Sequence, residues 1–204
     1  MFHAVSPAVP PEASERTRRH AARFGWKLEV IDAGEFADPE YLRNPSNRCF
    51  YCKTNLYAMI ARGSQGTIVS GTNLDDLADY RPGLEAAKKY HVRHPYVETG
   101  IGKALVREIA ATFELGEIVD LPASPCLSSR IETGIRVTAD SLALVHAVER
   151  LVSRSLEAAT VRCRIRSNGL IVELDGLAYE RVTAESNLEL RSEIGQLGTA
   201  HGFP

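Results

Sequence analysis

Residues 67–83 read TIVSGTNLDDLADYRPG, a short β-branched run that passes directly into a polar loop. The run TIVS has the composition of a buried strand, and the loop behind it is rich in aspartate. Short apolar runs alternate with helical patterns through the first two-thirds of the chain, which is typical of βαβ units and a parallel sheet. The sequence therefore predicts an α/β fold with polar side chains at the carboxyl edge of its sheet.

The sequence on both sides of this stretch extends the pattern. Before it, strands and helices are predicted to alternate, over residues 2–6, 11–24, 26–31 and 47–62. After it, apolar side chains at every fourth position, Leu105, Ile109 and Phe113, predict a helix over 103–113. Residues 121–134 contain two prolines and many small residues, which predicts a loop.

The pattern changes after residue 132. A helix, a β-hairpin and a second helix are predicted there, over residues 139–157, 161–175 and 186–197. The hairpin is predicted from VRCRIRSNGLIVELD, which alternates strictly around Asn168 and Gly169. The chain is therefore predicted to contain an α/β domain over 1–132 and a small α+β domain over 133–204.

Composition and missing motifs exclude several classes of protein. The formal net charge of −2 provides no general attraction for nucleic acid. The sequence contains no apolar run of membrane-spanning length and no signal-peptide pattern, which predicts a cytoplasmic protein with free thiols. The motifs GxSxG, HExxH and GxxxxGK[ST] are absent, and the histidines are scattered, so serine hydrolases, zincins and Walker-type enzymes are disfavoured.

Cys126 lies in the loop segment SPCLSSR. A cysteine behind a proline and among small residues is accessible, and Arg130 would favour its thiolate form. The opposing interpretation is a small apolar residue packed beneath the loop, because free cysteine is often buried. The local sequence leaves both interpretations open.

Cys49 and Cys52 form a CxxC at the start of a predicted helix, where both sulfurs share one face. With Cys126 they would supply three thiolates, enough for an iron–sulfur cluster with one open iron. A pair of cysteines that packs the helix is the alternative. Cys163 is predicted to face inward from a hairpin strand.

That strand also carries three arginines. Its period of two places Arg162, Arg164 and Arg166 on the face opposite Cys163, where guanidiniums could bind a phosphate or carboxylate. A solvated edge strand is the alternative interpretation.

The polar loop of the opening stretch is the other concentration of charge. The loop carries Asp75, Asp76, Asp79 and Arg81, and its carboxylates could orient Mg²⁺ on the phosphates of a nucleotide or contact a substrate. Capping of a helix N-terminus is the alternative, and it can coexist with binding.

The segments NRCFYCK, GTNLDDLADYRPG, SPCLSSRIETG and VRCRIR, in this order, resemble the LarE family of ATP-dependent sacrificial sulfur transferases. The likeness runs from Phe2 to about Phe203, and the second and third segments carry its specificity. Members are PP-loop enzymes of the adenine-nucleotide α-hydrolase type. The resemblance implies a Rossmann-like parallel sheet of the HUP class followed by a small α+β domain, and a cytoplasmic homo-oligomer.

The resemblance also implies roles for residues. ATP with Mg²⁺ would activate a carboxylate of a nicotinate-derived mononucleotide as its adenylate, and the Cys126 thiolate would displace AMP. Cleavage of the Cβ–S bond would leave sulfur on the substrate and dehydroalanine in the protein. The implied substrate-binding set is Arg162, Arg164, Arg130, Asp75, Asp76 and Arg81. Ser6 is assigned to the nucleotide, and Glu173 to a metal or substrate position.

Two other functions stay open. Some members of the family hold a [4Fe-4S] cluster with three cysteines and transfer an extra sulfide, and Cys49, Cys52 and Cys126 would form such a set for a small-molecule or tRNA acceptor. The acidic balance and the absence of an RNA-binding module argue against tRNA. The chain could instead be a non-catalytic subunit that keeps the anion pocket of Arg162 and Arg164.

The sequence departs from the family at its phosphate-binding loop. The family begins with a strand, an SGGxDS loop and a helix, whereas SGGxDS does not occur here and the chain starts at what resembles the second strand. The sheet is therefore expected to lack its first strand. A shortened gene or fragment, or a partner chain that supplies the loop, is favoured over a descendant that lost catalysis.

Overall fold

The N-terminal part of the chain contains a two-stranded parallel sheet. The computed structural model describes residues 1–121 and 125–203, without the side chains of residues 184–186. Strand β1 (Phe2–Ala4) pairs in parallel with β2 (Glu29–Ile31), and helix α1 (Pro11–Phe24) connects them. Helix α1 ends at Gly25, whose φ of 66° is the left-handed conformation that glycine adopts without strain. The predicted α/β character with parallel strands is confirmed for this part.

Helices α2 (Pro39–Leu42) and α3 (Arg48–Gly63) follow β2. The strand predicted over 67–70 is reduced to one isolated parallel bridge, between Val69 and Arg93. Two hydrogen bonds form it, from Ser70 N–H to Arg93 O at 3.0 Å and from Arg93 N–H to Ile68 O at 2.9 Å. The ladder stops there because the partner segment reaches Pro95, which has no N–H and begins the next helix.

Two short helices, α4 (Gly83–Lys89) and α5 (Pro95–Glu98), precede the helix predicted over 103–113. That helix is α6 (Lys103–Thr112). Helix α6 carries the predicted apolar stripe, yet Leu105 and Phe113 are 43% and 68% exposed. The described residues therefore leave this stripe largely uncovered. Residues 122–124, which include Ser124 of SPCLSSR, lie outside the described residues, so that part of the loop prediction stays open.

The C-terminal part contains the predicted helix–hairpin–helix pattern. Its elements are α7 (Ala139–Ser155), β3 (Val161–Arg166), β4 (Gly169–Leu174), α8 (Gly176–Glu180) and α9 (Ala184–Ala200). Strands β3 and β4 are antiparallel, and Arg166 pairs with Gly169. The turn is therefore Ser167 and Asn168, one residue earlier than predicted. Cys163 faces inward, as predicted, and is fully buried.

The main hydrophobic core draws side chains from both sides of residue 132. Tyr41 and Leu127 belong to it together with Leu142, Val148 and Cys163. The division into domains over 1–132 and 133–204 stays a prediction. Across the described part of the chain, no helix is both long and apolar enough to cross a membrane.

Candidate functional site

The Cys126 thiol is exposed and directly precedes a 3₁₀ turn over Leu127–Arg130. The turn is attached to the segment that follows β1, because Leu127 N–H donates to Ala8 O at 2.9 Å. Ser6, predicted to contact a nucleotide, lies at the start of that segment, where its Oγ accepts from Ala8 N–H at 3.3 Å. The predicted donor thiol and the predicted nucleotide residue thus belong to neighbouring segments.

Residues from α2 to the start of α3 hold the same turn. Tyr41 Oη lies 2.7 Å from Ser128 Oγ, and Arg48 Nη1 donates to Ser128 O at 2.9 Å. Asn44, fully buried with a φ of 55°, donates its side-chain amide to Glu132 O at 2.8 Å and Ile135 O at 3.0 Å. Asparagine tolerates this left-handed conformation better than most residues. These contacts restrict the backbone that carries Cys126.

The arginine-bearing hairpin is joined to the loop after Cys126. Ile131 forms a parallel bridge with Ile165, and Glu132 N–H donates to Ile165 O at 3.0 Å. Arg164 Nη1 donates to Ser129 O at 3.4 Å, three residues from Cys126. The structure therefore brings the predicted thiol and one of the predicted substrate-binding arginines into one region of the surface.

Arg130, predicted to bind substrate, has a different environment. Its side chain is 7% exposed, and its Nε donates to Glu149 Oε1 at 2.8 Å. Its Nη1 donates to Ser129 Oγ at 2.9 Å and to Pro125 O at 3.4 Å. The same Glu149 oxygen accepts from Cys163 N–H at 3.0 Å. In this structure Arg130 is committed to holding the backbone on either side of Cys126, and Glu149 ties that loop to β3.

Glu173 and the hairpin arginines form a polar face. Glu173 lies across the strand pair from Arg162, and its Oε1 accepts from Arg164 Nε at 2.5 Å. The hydrogen bond and charge of Arg164, with the charges of Arg162 and Arg166, hold the pKa of Glu173 below its usual value. An anionic ligand here would meet guanidiniums that a single carboxylate neutralises only in part.

The three cysteines outside β3 differ in environment. Cys49 and Cys126 are exposed, whereas Cys52 is partly buried. Burial, reinforced by the charge of Glu35, raises the pKa of Cys52 to about 12. Within residues 1–121 and 125–203, no three Cys, His, Asp or Glu side chains are close enough together to hold a metal ion. The thiols as arranged therefore do not form a ready cluster site.

This arrangement predicts the order in which the thiols react with iodoacetamide. Because the thiolate is the reactive form, a pKa of about 12 gives Cys52 roughly 10³-fold less thiolate near neutral pH than an ordinary exposed cysteine has. Cys49 and Cys126 should be modified first, and modification of Cys52 should accelerate about tenfold per pH unit over roughly pH 7 to 9, well below the pKa of that thiol. Timed alkylation with peptide mass spectrometry checks this. Equal rates for Cys52 and Cys126 would contradict the described burial.

A cavity of about 760 Å³ lies beside the first turns of α3. Its wall includes Cys49 and Lys53 from α3, Ser70, and Asp76 and Arg81 from the polar loop. Arg81 Nη2 lies 2.8 Å from Asp76 Oδ1. Among the described residues, Cys126 and the hairpin arginines are not part of this wall. The predicted site residues thus fall into two groups, those in the cavity wall and those around the Cys126 loop.

The aspartates of the polar loop also cap helices. Asn73 and Asp76 form a reciprocal capping box around the 3₁₀ turn Leu74–Leu77, and Asp75 Oδ2 accepts from Lys103 N–H at 2.6 Å at the start of α6. The capping interpretation of this loop is therefore confirmed. Their roles in substrate binding stay predictions.

Sequence reasoning missed Tyr41, Asn44, Arg48 and Glu149. Only Glu149 had a usable signal, because it falls between Val145 and Val152 on the apolar side of α7, where a carboxylate needs a buried partner. The other three act through contacts with residues 80 or more positions away, and no local pattern marks such contacts.

Comparison with known proteins adds three relatives. An uncharacterised protein of Synechocystis sp. is 39% identical over 176 residues, covering 84% of this chain and 65% of that protein. An uncharacterised protein of Methanocaldococcus jannaschii is 25% identical over 160 residues, covering 76% and 60%. The pyridinium-3,5-bisthiocarboxylic acid mononucleotide synthase of Lactiplantibacillus plantarum is 28% identical over 175 residues, covering 84% and 63%. The chain thus spans 60 to 65% of the length of these relatives. No family model matches it.

Proposed function

We propose that this chain is the sulfur-donating part of a LarE-type sulfur transferase that acts on a pyridinium carboxylic acid mononucleotide. The similarity to the L. plantarum synthase supports this proposal, since that protein's name denotes a bisthiocarboxylic product. The observation that carries it is the exposed Cys126 thiol on a loop that Arg164 contacts at Ser129 O, at 3.4 Å.

The chemistry follows from what each group can do. A carboxylate is a poor electrophile, and ATP converts it into an adenylate with release of pyrophosphate. The Cys126 thiolate then attacks the activated carbonyl carbon, and AMP leaves. A base then removes the Cα proton of residue 126 from the resulting thioester. The electron pair forms the Cα=Cβ double bond while the Cβ–S bond breaks. The sulfur stays on the substrate as a thiocarboxylate, and position 126 becomes dehydroalanine.

The hairpin would orient the substrate. Guanidiniums bind phosphate through paired, charge-assisted hydrogen bonds, so Arg162 and Arg164 suit the phosphate of a mononucleotide. Arg164 is engaged with Glu173 in the described state. A phosphate that binds here must compete with that carboxylate, or a cation must screen it. Glu173 thereby limits which anions the hairpin retains.

ATP binding belongs to the same proposal. We place the described parallel strands in a Rossmann-like sheet of the PP-loop class, whose phosphate-binding loop comes from a partner chain or from a longer form of this one. Ser6 would face the nucleotide, next to the segment that holds Leu127. The cavity at Asp76 and Arg81 would take part of the substrate, with Asp75 ordering α6 beside it.

The [4Fe-4S] route is the second candidate. It needs Cys49, Cys52 and Cys126 as ligands, and the charges of Cys126 and Cys49 both contribute to the raised pKa of Cys52, which indicates that the thiols are neighbours. The described side chains nevertheless do not form a metal-binding group. Direct donation by Cys126 is therefore the first candidate.

Intact-mass spectrometry tests the proposal. The protein, with a chain that supplies the phosphate-binding loop where one is needed, is incubated with ATP, Mg²⁺ and pyridinium-3,5-dicarboxylic acid mononucleotide. Direct donation predicts that the protein loses the mass of H₂S, and that peptide sequencing locates the loss at Cys126. Omission of ATP is the control and should leave the mass unchanged.

Two results would count against direct donation. Thiocarboxylate formed with no change in protein mass, by protein that contains iron and sulfide, would favour the cluster route. Neither product nor mass change in any assembly, with the mononucleotide still bound, would leave a non-catalytic binding subunit.

A further inference from the structure

The proposed reaction leaves an electrophile beside two unused thiols. Dehydroalanine at position 126 carries a Cα=Cβ double bond, to which thiols add. The first turns of α3 contain Cys49 and Cys52, and Arg48 Nη1 ties this end of the helix to Ser128 O at 2.9 Å. The spent residue would therefore form next to a helix that presents nucleophiles.

The two thiols lie three residues apart on one face of α3 but have different neighbours. Cys49 lies in the wall of the cavity that contains Asp76 and Arg81. Cys52 packs against the core cluster that includes Tyr41 and Leu127, the residue next to Cys126. Tyr41 in turn contacts Ser128 at 2.7 Å. Cys52 is thus the thiol that packs against the residues holding the Cys126 loop.

We propose that Cys52 seals the spent protein by adding to the dehydroalanine at position 126, which forms a thioether cross-link between α3 and the loop. This inference rests on the proposed function. The Cys52 sulfur bonds to Cβ of residue 126, and the thiol proton ends on its Cα. No atom is lost and no oxidant or reductant is needed.

The rigidity of the loop favours this addition over external thiols. Contacts to Ala8, Tyr41 and Arg48 hold the turn after position 126, and none of them uses the Cys126 sulfur. Loss of that sulfur therefore leaves the backbone in place. A neighbouring group held near its target reacts as if at a concentration far above that of dissolved thiols, about 10⁵ M or more in favourable cases. That advantage exceeds the roughly 10³-fold smaller thiolate fraction that the raised pKa of Cys52 leaves. The cross-link would make the end of the single turnover irreversible.

A chemical route to dehydroalanine tests the cross-link without turnover. In the Cys49→Ser variant, Cys126 is the exposed thiol, since Cys52 is partly and Cys163 fully buried. One equivalent of a bis-alkylating reagent that converts cysteine into dehydroalanine is added to the folded protein, followed by excess 2-mercaptoethanol. The matched control is the double variant Cys49→Ser, Cys52→Ser, which has no trap.

The Cys49→Ser variant should lose the mass of H₂S and take up about tenfold less 2-mercaptoethanol than the double variant. A tryptic digest should contain peptide 49–53 joined to peptide 108–130. Equal uptake of 2-mercaptoethanol by both variants overturns the proposal. So does failure of the reagent to convert Cys126, because that contradicts its exposure. Failure of the proposed function appears separately, as the absence of H₂S loss in the reaction with ATP.

Discussion

Replacing Cys126 with serine should abolish formation of the thiocarboxylate while ATP-dependent release of pyrophosphate continues. Serine occupies nearly the same volume at this exposed position, so the free energy of unfolding should change by less than about 0.5 kcal/mol. The hydroxyl has no sulfur to donate, but adenylation of the substrate precedes attack by residue 126. Product chromatography and a pyrophosphate assay on the same reaction measure the two steps.

The Cys49→Ser variant separates the two sulfur-transfer routes in this assay. Direct donation needs only the thiol at position 126, so any thiocarboxylate formed by Cys49→Ser protein favours it. A cluster that loses one of three ligands should lose transfer entirely. If Cys126→Ser protein still forms product, Cys126 is not the donor and the proposed function is wrong.

The sequence predicted elements best where local chemistry determines them. Helix α1 ends at residue 24, as predicted, because the next residue, Gly25, adopts a φ of 66°. The strict alternation of the hairpin correctly predicted that Cys163 faces inward. The strand predicted over 67–70 is longer than the observed single bridge. A strand needs a partner, and the partner segment ends at Pro95. The four-residue run TIVS does not encode how far its distant partner segment extends.

The sequence names candidate site residues, whose roles stay predictions, but it does not give their arrangement. Motifs named Cys126 and Arg164, and the structure joins their segments through Ser129. The same motif included Arg130, whose guanidinium is turned inward to Glu149, 19 positions away. An arginine that binds a ligand and one that braces a loop look identical in sequence, because the difference lies in the partner that folding supplies.

Replacing Arg130 with alanine should therefore destabilise the protein more than replacing an exposed charged residue does. Side chains of Arg130 and Glu149 are 7% and 16% exposed, and removal of one partner of such a pair costs about 3–5 kcal/mol. For a chain of this size the midpoint of thermal unfolding should fall by roughly 10 °C. The control is Arg150→Ala on the same helix as Glu149, since its partner Glu12 is 46% exposed and such a pair contributes about 1 kcal/mol or less.

Removal of both charges separates stability from positioning. Arg130→Met with Glu149→Leu should regain only part of the lost stability, because the apolar pair eliminates a buried unpaired charge but leaves Cys163 N–H without its acceptor, at a cost of about 1–3 kcal/mol. Sulfur transfer should not recover with it, since Pro125 O and Ser129 Oγ still lack the guanidinium that holds them on either side of Cys126. Thermal unfolding and single-turnover product formation, measured on the same preparations, distinguish the two effects. Full recovery of stability and of sulfur transfer in the double variant would mean that Arg130 contributes only charge balance. Equal unfolding midpoints for Arg130→Ala and Arg150→Ala would mean that the pair of Arg130 and Glu149 is not buried as described.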